Sequence, residues 1–144
     1  MNPSRQSAVS GSLSLETAII GAGMVVFLGL CFAAGRLAIA DNAVEEAARN
    51  AARQASIART ASAARANALD AAQTTLAAQH LKCAGVTVDL DLDGFDVPVG
   101  SPASVAATVI CPVRLGDLGV PGMPVTRTLA ARFTSPLDTY RARS

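Results

Sequence analysis

The sequence has few aromatic residues and one histidine. Aromatic residues make up 3% of the 144 residues, tryptophan is absent, and His80 is the one histidine. A single histidine cannot build a histidine metal site, and no CxxC or HExxH motif occurs. Alanine supplies much of the 51% apolar fraction and buries little area, so we expect a thin hydrophobic core.

A strong charge of either sign is also missing. Twelve basic and 11 acidic residues give a net charge of +1, so nothing indicates attraction of nucleic acid or an acidic substrate. Arginines in the middle of the chain are interleaved with alanine rather than aromatic residues, at Arg49, Arg53, Arg59 and Arg65. This favours a solvated helix face or salt bridges between subunits. No nucleophile elbow or carboxylate pair occurs, so we expect no catalytic residue, cofactor or metal.

Charge is absent altogether from residues 17–35, TAIIGAGMVVFLGLCFAAG. As a helix this segment is roughly 28 Å long, which matches the hydrocarbon core of one bilayer. Glycine is frequent in membrane helices and permits close helix contacts, and it occurs here at Gly21, Gly23, Gly29 and Gly35. We therefore predict a transmembrane helix over residues 12–35, in contact with membrane lipid.

The next segment, residues 36–82, contains no proline or glycine and is rich in alanine, the strongest helix former. We predict an external helix with a break near residue 60, where Thr60 or Ser62 would cap a second helix over about 62–81. Apolar residues at steps of three and four predict one apolar stripe, at Leu37, Ala40, Val44, Ala47, Ala51, Ala55 and Ala58. A stripe of alanine is a weak hydrophobic surface, so it needs a close partner.

From residue 83 onward the hydrophobic period changes to two. Residues 86–94, 104–113 and 125–136 predict strands, and the glycine- and proline-rich residues 114–124 predict a long loop. The predicted fold class is therefore α+β. A long N-terminal helix, formed by the membrane span and the external helix, precedes a small antiparallel sheet of about three strands within residues 83–144.

The segment DLDLDG, residues 89–94, matches the start of a calcium-binding loop. The twelfth position of such a loop should be glutamate, but here it is Gly100, and a predicted strand stands where a helix should precede the loop. We interpret the aspartates as the solvated side of a strand that enters a turn. A weak external cation site is the alternative.

Three cysteines occur, and Cys31 lies in the apolar segment. Cys83 precedes the first predicted strand and Cys111 lies near the end of the second, so neighbouring strands can bring them within disulfide distance. In an exported domain this pair forms a disulfide, whereas in a cytosolic domain it is two buried thiols. We favour the disulfide. The cysteine pair and the polar sheet together indicate that the C-terminal domain lies outside the cell.

Residues 11–16, GSLSLE, resemble the class III signal of type IV pilins: a short polar leader, a glycine, and a glutamate five positions later. The alanine- and arginine-rich helix, the cysteine, the strands and the ending TSPLDTYR at residues 134–141 resemble TadE-like minor pseudopilins. These belong to the tight-adherence (Flp) pilus system, in the form typical of high-GC Gram-positive bacteria. The resemblance covers almost the whole chain from Gly11.

The resemblance implies that residues 1–11 are a leader, which a prepilin peptidase removes after Gly11. Ser12 would then carry the mature amino terminus, and the Glu16 carboxylate could pair with that amine between copies and set their axial register. The implied role is a minor subunit or assembly factor of a surface pilus, without enzymatic activity. It would cross the cell membrane once, with an extracellular C-terminal domain.

The resemblance also implies partners for this role. They are the prepilin peptidase, other pseudopilins or the major pilin through helix packing, and the pilus assembly platform.

Other interpretations of the N-terminal region stay open. Glu16 could be an acid at a helix start, where the macrodipole favours it. Ordinary signal peptidase could cut after Ala40, because residues 38–40 are AIA, and release a secreted interaction domain. Against this, the apolar segment of 19 residues is longer than a usual signal peptide core, and Arg36 lies before the cut. An uncleaved signal anchor is the third possibility.

Overall fold

The computed structural model describes the backbone of residues 4–114, 116 and 125–140, and the side chains of these ranges from residue 16 onward. Two helices precede three strands: α1 (Ser4–Ile57), α2 (Ala61–Ala78), β1 (Thr87–Asp91), β2 (Ser104–Arg114) and β3 (Thr126–Pro136). A short 3-10 helix, Asp93–Phe95, lies between β1 and β2. The predicted α+β class is confirmed, while the predicted loop at 114–124 lies almost entirely outside the described residues.

The chain forms two compact units, Met1–Gly35 and Arg36–Ser144. In the first unit, α1 exposes its large apolar side chains between residues 19 and 32, each with 58–71% of its surface accessible. By length and composition α1 can cross a membrane, although a signal sequence near the N-terminus has the same properties.

The break between the helices has a local cause. Thr60 is extended, with φ of −128° and ψ of 152°, and its hydroxyl oxygen accepts a hydrogen bond of 3.1 Å from the Ala63 amide. This N-cap satisfies one of the amides that a helix start leaves without a partner. Thr60 is therefore the cap of α2, and the Ser62 hydroxyl lies 3.1 Å from the Thr60 hydroxyl.

The three strands form an open antiparallel sheet in the order β1-β2-β3. Within it, Asp89 lies opposite Thr108, and Thr108 lies opposite Arg132. These three residues occupy the polar face. Alternate residues of the central strand point to the other face and are buried, at Val105, Ala107, Val109, Cys111 and Val113.

The core of the second unit is built largely from alanine, as expected. The fully buried alanines of the two helices are Ala47, Ala48, Ala51, Ala52 and Ala55 on α1, and Ala64, Ala68 and Ala72 on α2. They share one buried cluster with Leu76 and the inward side chains of β2. The predicted stripe on α1 therefore has its close partner within this chain, in α2 and the sheet.

Candidate functional site

The processing residues Gly11 and Ser12 lie in α1, but their side chains are outside the described residues. Glu16 is the first described side chain, and it is exposed. Because α1 begins at Ser4, Glu16 is not in the first turn of the helix. The helix-start interpretation of this acid is therefore wrong for the uncut chain.

The apolar surface of α1 follows directly after Glu16. A Cβ atom added at Gly21, Gly23, Gly29 or Gly35 would meet no described atom within 4 Å. Cys31 is exposed on the same segment. An exposed apolar surface of this extent is typical of a segment that contacts lipid or another protein, because soluble monomers rarely expose large contiguous apolar patches. The glycines leave the backbone accessible to a neighbouring helix.

The Cys83–Cys111 disulfide is formed, as the sequence predicted. The two Cα atoms lie 5.2 Å apart, within the usual range for this bond. Next to it, the Ala84 amide donates a hydrogen bond of 2.8 Å to the Pro112 carbonyl. Together these bonds fasten the segment that follows α2 to the central strand of the sheet.

The DLDLDG segment uses its Asp91 carboxylate within the fold. One oxygen accepts a bond of 3.2 Å from the Arg132 guanidinium, and the other accepts one of 3.4 Å from the Asp93 amide. Gly94 packs its α-carbon against the Ser104 carbonyl, where a Cβ would collide. In the part of the chain that the structure describes, no group of three or more His, Cys, Asp or Glu side chains could hold a metal ion.

The four arginines singled out in the middle of the chain are all exposed: Arg49 and Arg53 on α1, Arg59 between the helices, and Arg65 on α2. Arg49 also places its guanidinium 5.3 Å from the centre of the Phe133 ring, in a cation–π arrangement between α1 and β3. Sequence reasoning missed this contact because its two residues are far apart in the chain.

Two hydrogen bonds between the helices were likewise missed. Asn50 Nδ2 donates to Thr75 Oγ1 at 3.1 Å, and Gln79 Nε2 donates to Glu46 Oε2 at 2.8 Å. They hold α2 antiparallel to the second half of α1. No local signal marks such pairs, because polar residues at helix surfaces more often face solvent.

His80 ends α2 through its backbone rather than its side chain. Its φ is +55°, in the left-handed region, and its amide donates a hydrogen bond of 3.0 Å to the Ala77 carbonyl. The Leu81 amide donates a hydrogen bond of 3.0 Å to the Leu76 carbonyl. These two bonds form a Schellman motif, in which glycine is the usual residue at the position that His80 occupies.

Comparisons with protein-family models, with curated proteins and with solved structures found no match.

Proposed function

We propose that this chain is a pilin-like, TadE-like minor subunit or assembly factor of a tight-adherence type IV pilus. The observation that carries the proposal lies on one helix. In α1, the sequence GSLSLE directly precedes an uncharged segment whose large apolar side chains are 58–71% exposed. The same helix then contributes its second half to the core of a disulfide-bonded domain. This combination suits a subunit that is held by lipid or neighbouring helices at one end and folded at the other.

Glu16 has a specific role in this proposal. An acid next to a membrane segment is unfavourable unless something compensates its charge. Removal of residues 1–11 would create an amine at Ser12, and that amine on a neighbouring copy would neutralise the carboxylate. Glu16 is exposed, so its carboxylate is accessible to the amine of a neighbouring copy.

The disulfide supports an external location for the second unit. Disulfides form and persist in oxidising compartments and are rare in the cytosol. A chain whose apolar helix crosses the membrane once, with its N-terminus inside, would place Cys83 and Cys111 outside the cell. The proposed location is therefore the cell membrane, with the C-terminal domain extracellular and the helix available for packing in a pilus.

The packing around Ala40 favours this proposal over cleavage by ordinary signal peptidase. Ala40 is 2% exposed and belongs to the buried cluster of the second unit, together with Val44 one turn later. A cut after Ala40 would remove part of that cluster. Cleavage after Gly11 leaves the second unit intact.

The N-terminal sequence of the mature protein tests the proposal. We expect it to begin at Ser12 in the native host, and at Met1 in a strain without prepilin peptidase. A start at Asp41 would instead identify a secreted domain, and retention of residues 1–11 in the native host would identify an uncleaved anchor.

Two matched variants sharpen the assignment. Gly11→Leu places a bulky side chain at the proposed cut, so the leader should be retained. Ala38→Leu disrupts the small residue that signal peptidase requires, at an exposed position that spares the core, and it should leave the Ser12 start unchanged. The opposite pattern would reject the proposal.

A further inference from the structure

The sheet of the second unit has two open edges. Among the described residues, β1 and β3 each pair with β2 and with no other strand. β3 pairs with β2 along all 11 of its residues, so its opposite side presents a long row of backbone amides and carbonyls. Such an edge is a template for another strand unless it is covered or repelled.

The two edges carry opposite charges. β1 contains Asp89 and Asp91 and no basic residue, whereas β3 contains Arg127 and Arg132 and no acidic residue. Pairing two β1 edges, or two β3 edges, would bring like charges together across the new contact, and this destabilises neighbouring strands. Pairing β1 of one copy with β3 of another places opposite charges side by side.

The helices contribute side chains to a groove along each edge of the sheet. The groove along β1 is lined by Leu69, Leu90 and Arg65, and the groove along β3 by Phe133, Glu45 and Arg49. Leu69 is 39% exposed and Phe133 is 37% exposed, so each edge has an apolar side chain that a second strand would cover. In this layer the β1 edge carries Arg65, whereas at the β3 edge Glu45 and Arg49 offset each other, so the charge complementarity of the two edges comes from the strands themselves.

We propose that a second copy of this chain adds its β3 edge to the β1 edge, which extends the sheet from one copy to the next. β1 and β3 are both antiparallel to β2, so they run in the same direction, and in two copies of the same orientation the new pair is parallel. A register that places Asp89 beside Arg132 of the next copy also places Thr87 beside Ala130 of that copy.

This contact is head-to-tail and leaves one free edge at each end, so it propagates into a row of copies. Arg132 is available for it, since its bridge to Asp91 of its own chain is solvent-exposed and reaches across β2. The inference goes beyond the proposed function, because it depends on the sheet and not on cleavage after Gly11.

Disulfide trapping tests the contact in the full chain in native membranes. In a Cys31→Ser background, Thr87→Cys and Ala130→Cys are combined in one chain, at two exposed positions. Within one chain these residues are two strand spacings apart, roughly 9.6 Å, which is too far for a direct disulfide. We expect mild oxidation to give a ladder of dimers and longer species on a non-reducing gel.

The single-cysteine variants distinguish a head-to-tail contact from a contact between two identical edges. Each single cysteine alone should stay monomeric, and a mixture of the two single variants should stop at the dimer. Asn67→Cys combined with Ala130→Cys is the matched control, since Asn67 is exposed on α2, and it should give no ladder. Dimers from either single variant, or no ladder from the double variant, would overturn the inference.

Charge reversal supplies the second test. Asp89→Arg in the trapping background should reduce the ladder about fivefold, the effect expected for one cross-strand charge pair. Adding Arg132→Asp to the same chain should restore the ladder, and a lack of recovery would count against the proposed register. The N-terminus of each variant is sequenced in parallel. If the ladder is lost while the chain still begins at Ser12, the edge contact is overturned and the proposed pilus function is unaffected.

Discussion

The Ser135 hydroxyl donates a hydrogen bond of 3.1 Å to the Ser56 hydroxyl, across 79 residues of sequence. The Ser56 hydroxyl, near the end of α1, donates a hydrogen bond of 2.8 Å to the Arg53 carbonyl. Both serines are buried. This short chain of hydrogen bonds joins the end of α1 to β3 in a core that otherwise contains almost only apolar groups.

Truncation of Ser56 should therefore cost more than truncation of Ser135. Ser56→Ala leaves the buried Ser135 hydroxyl without its acceptor, at about 1–3 kcal/mol of unfolding free energy. In Ser135→Ala the Ser56 hydroxyl keeps its bond to the Arg53 carbonyl. Urea unfolding of the full chain in detergent should show that the double variant loses less than the two single losses together. Additive losses would mean that the two hydroxyls are not coupled.

Gly94→Ala should destabilise the second unit. The added methyl group would collide with the Ser104 carbonyl and contact the Leu137 side chain, in a place where backbone must move. Overpacking of this kind costs about 1–3 kcal/mol. Gly85→Ala is the matched control, because no described atom lies within 4 Å of its added Cβ. Equal midpoints of urea unfolding for the two variants would contradict the close approach.

His80→Gly should stabilise the second unit by about 0.5–1 kcal/mol, since glycine adopts a positive φ without steric cost. His80→Val should have the opposite effect, because a β-branched residue is strained in the left-handed region. Lys82→Gly is a suitable control, as Lys82 is exposed and has no positive φ. If His80→Gly lowered the urea midpoint, the Schellman geometry would be rejected.

Removal of the disulfide should lower the stability of the second unit by about 3 kcal/mol, from the entropy of a 28-residue loop in the unfolded chain. Cys83→Ala combined with Cys111→Ala tests this, and so does unfolding with and without a thiol reductant. Cys31→Ser, outside the disulfide, should change neither the midpoint nor its response to the reductant. An unaltered midpoint after reduction would show that the loop constraint contributes little.

If the proposed function holds, Glu16→Ala should still insert into the membrane but should fail to enter pili. Loss of one acid makes insertion easier, so the variant should remain in the membrane fraction. Without the carboxylate it should be depleted from sheared surface pili. Asp41→Ala, at an exposed position of the second unit, is the control and should enter pili normally. Normal recovery of Glu16→Ala in pili would exclude a role in subunit register.

The strands were predictable because their signal is local. The predicted segment 104–113 corresponds to Ser104–Arg114, and 125–136 to Thr126–Pro136. β1 ends earlier than its alternating pattern, at Asp91, since Leu92 turns into the core and Asp93–Phe95 forms a 3-10 helix. Thr60 was predictable for the same local reason, because an N-cap contacts an amide only three residues away.

The partners of these elements were not predictable in the same way. The alanine stripe predicts a buried helix face, but the periodicity of one helix does not predict which element packs against that face. Gly94 is required by a carbonyl ten residues later, and Arg49 meets a phenylalanine on a distant strand. The disulfide was an exception, since Cys83 and Cys111 formed the only pair outside the apolar segment. Cleavage after Gly11 and the role of Glu16 stay predictions.

The alanine interior of the second unit has a thermal consequence. Alanine has no side-chain rotamers to lose on burial, so ordering this interior costs less conformational entropy than ordering one of leucine or methionine. It also buries little apolar area, and the heat capacity change of unfolding scales with that area. The free energy of unfolding of such a domain therefore curves gently with temperature, so that stability changes slowly on both sides of its maximum.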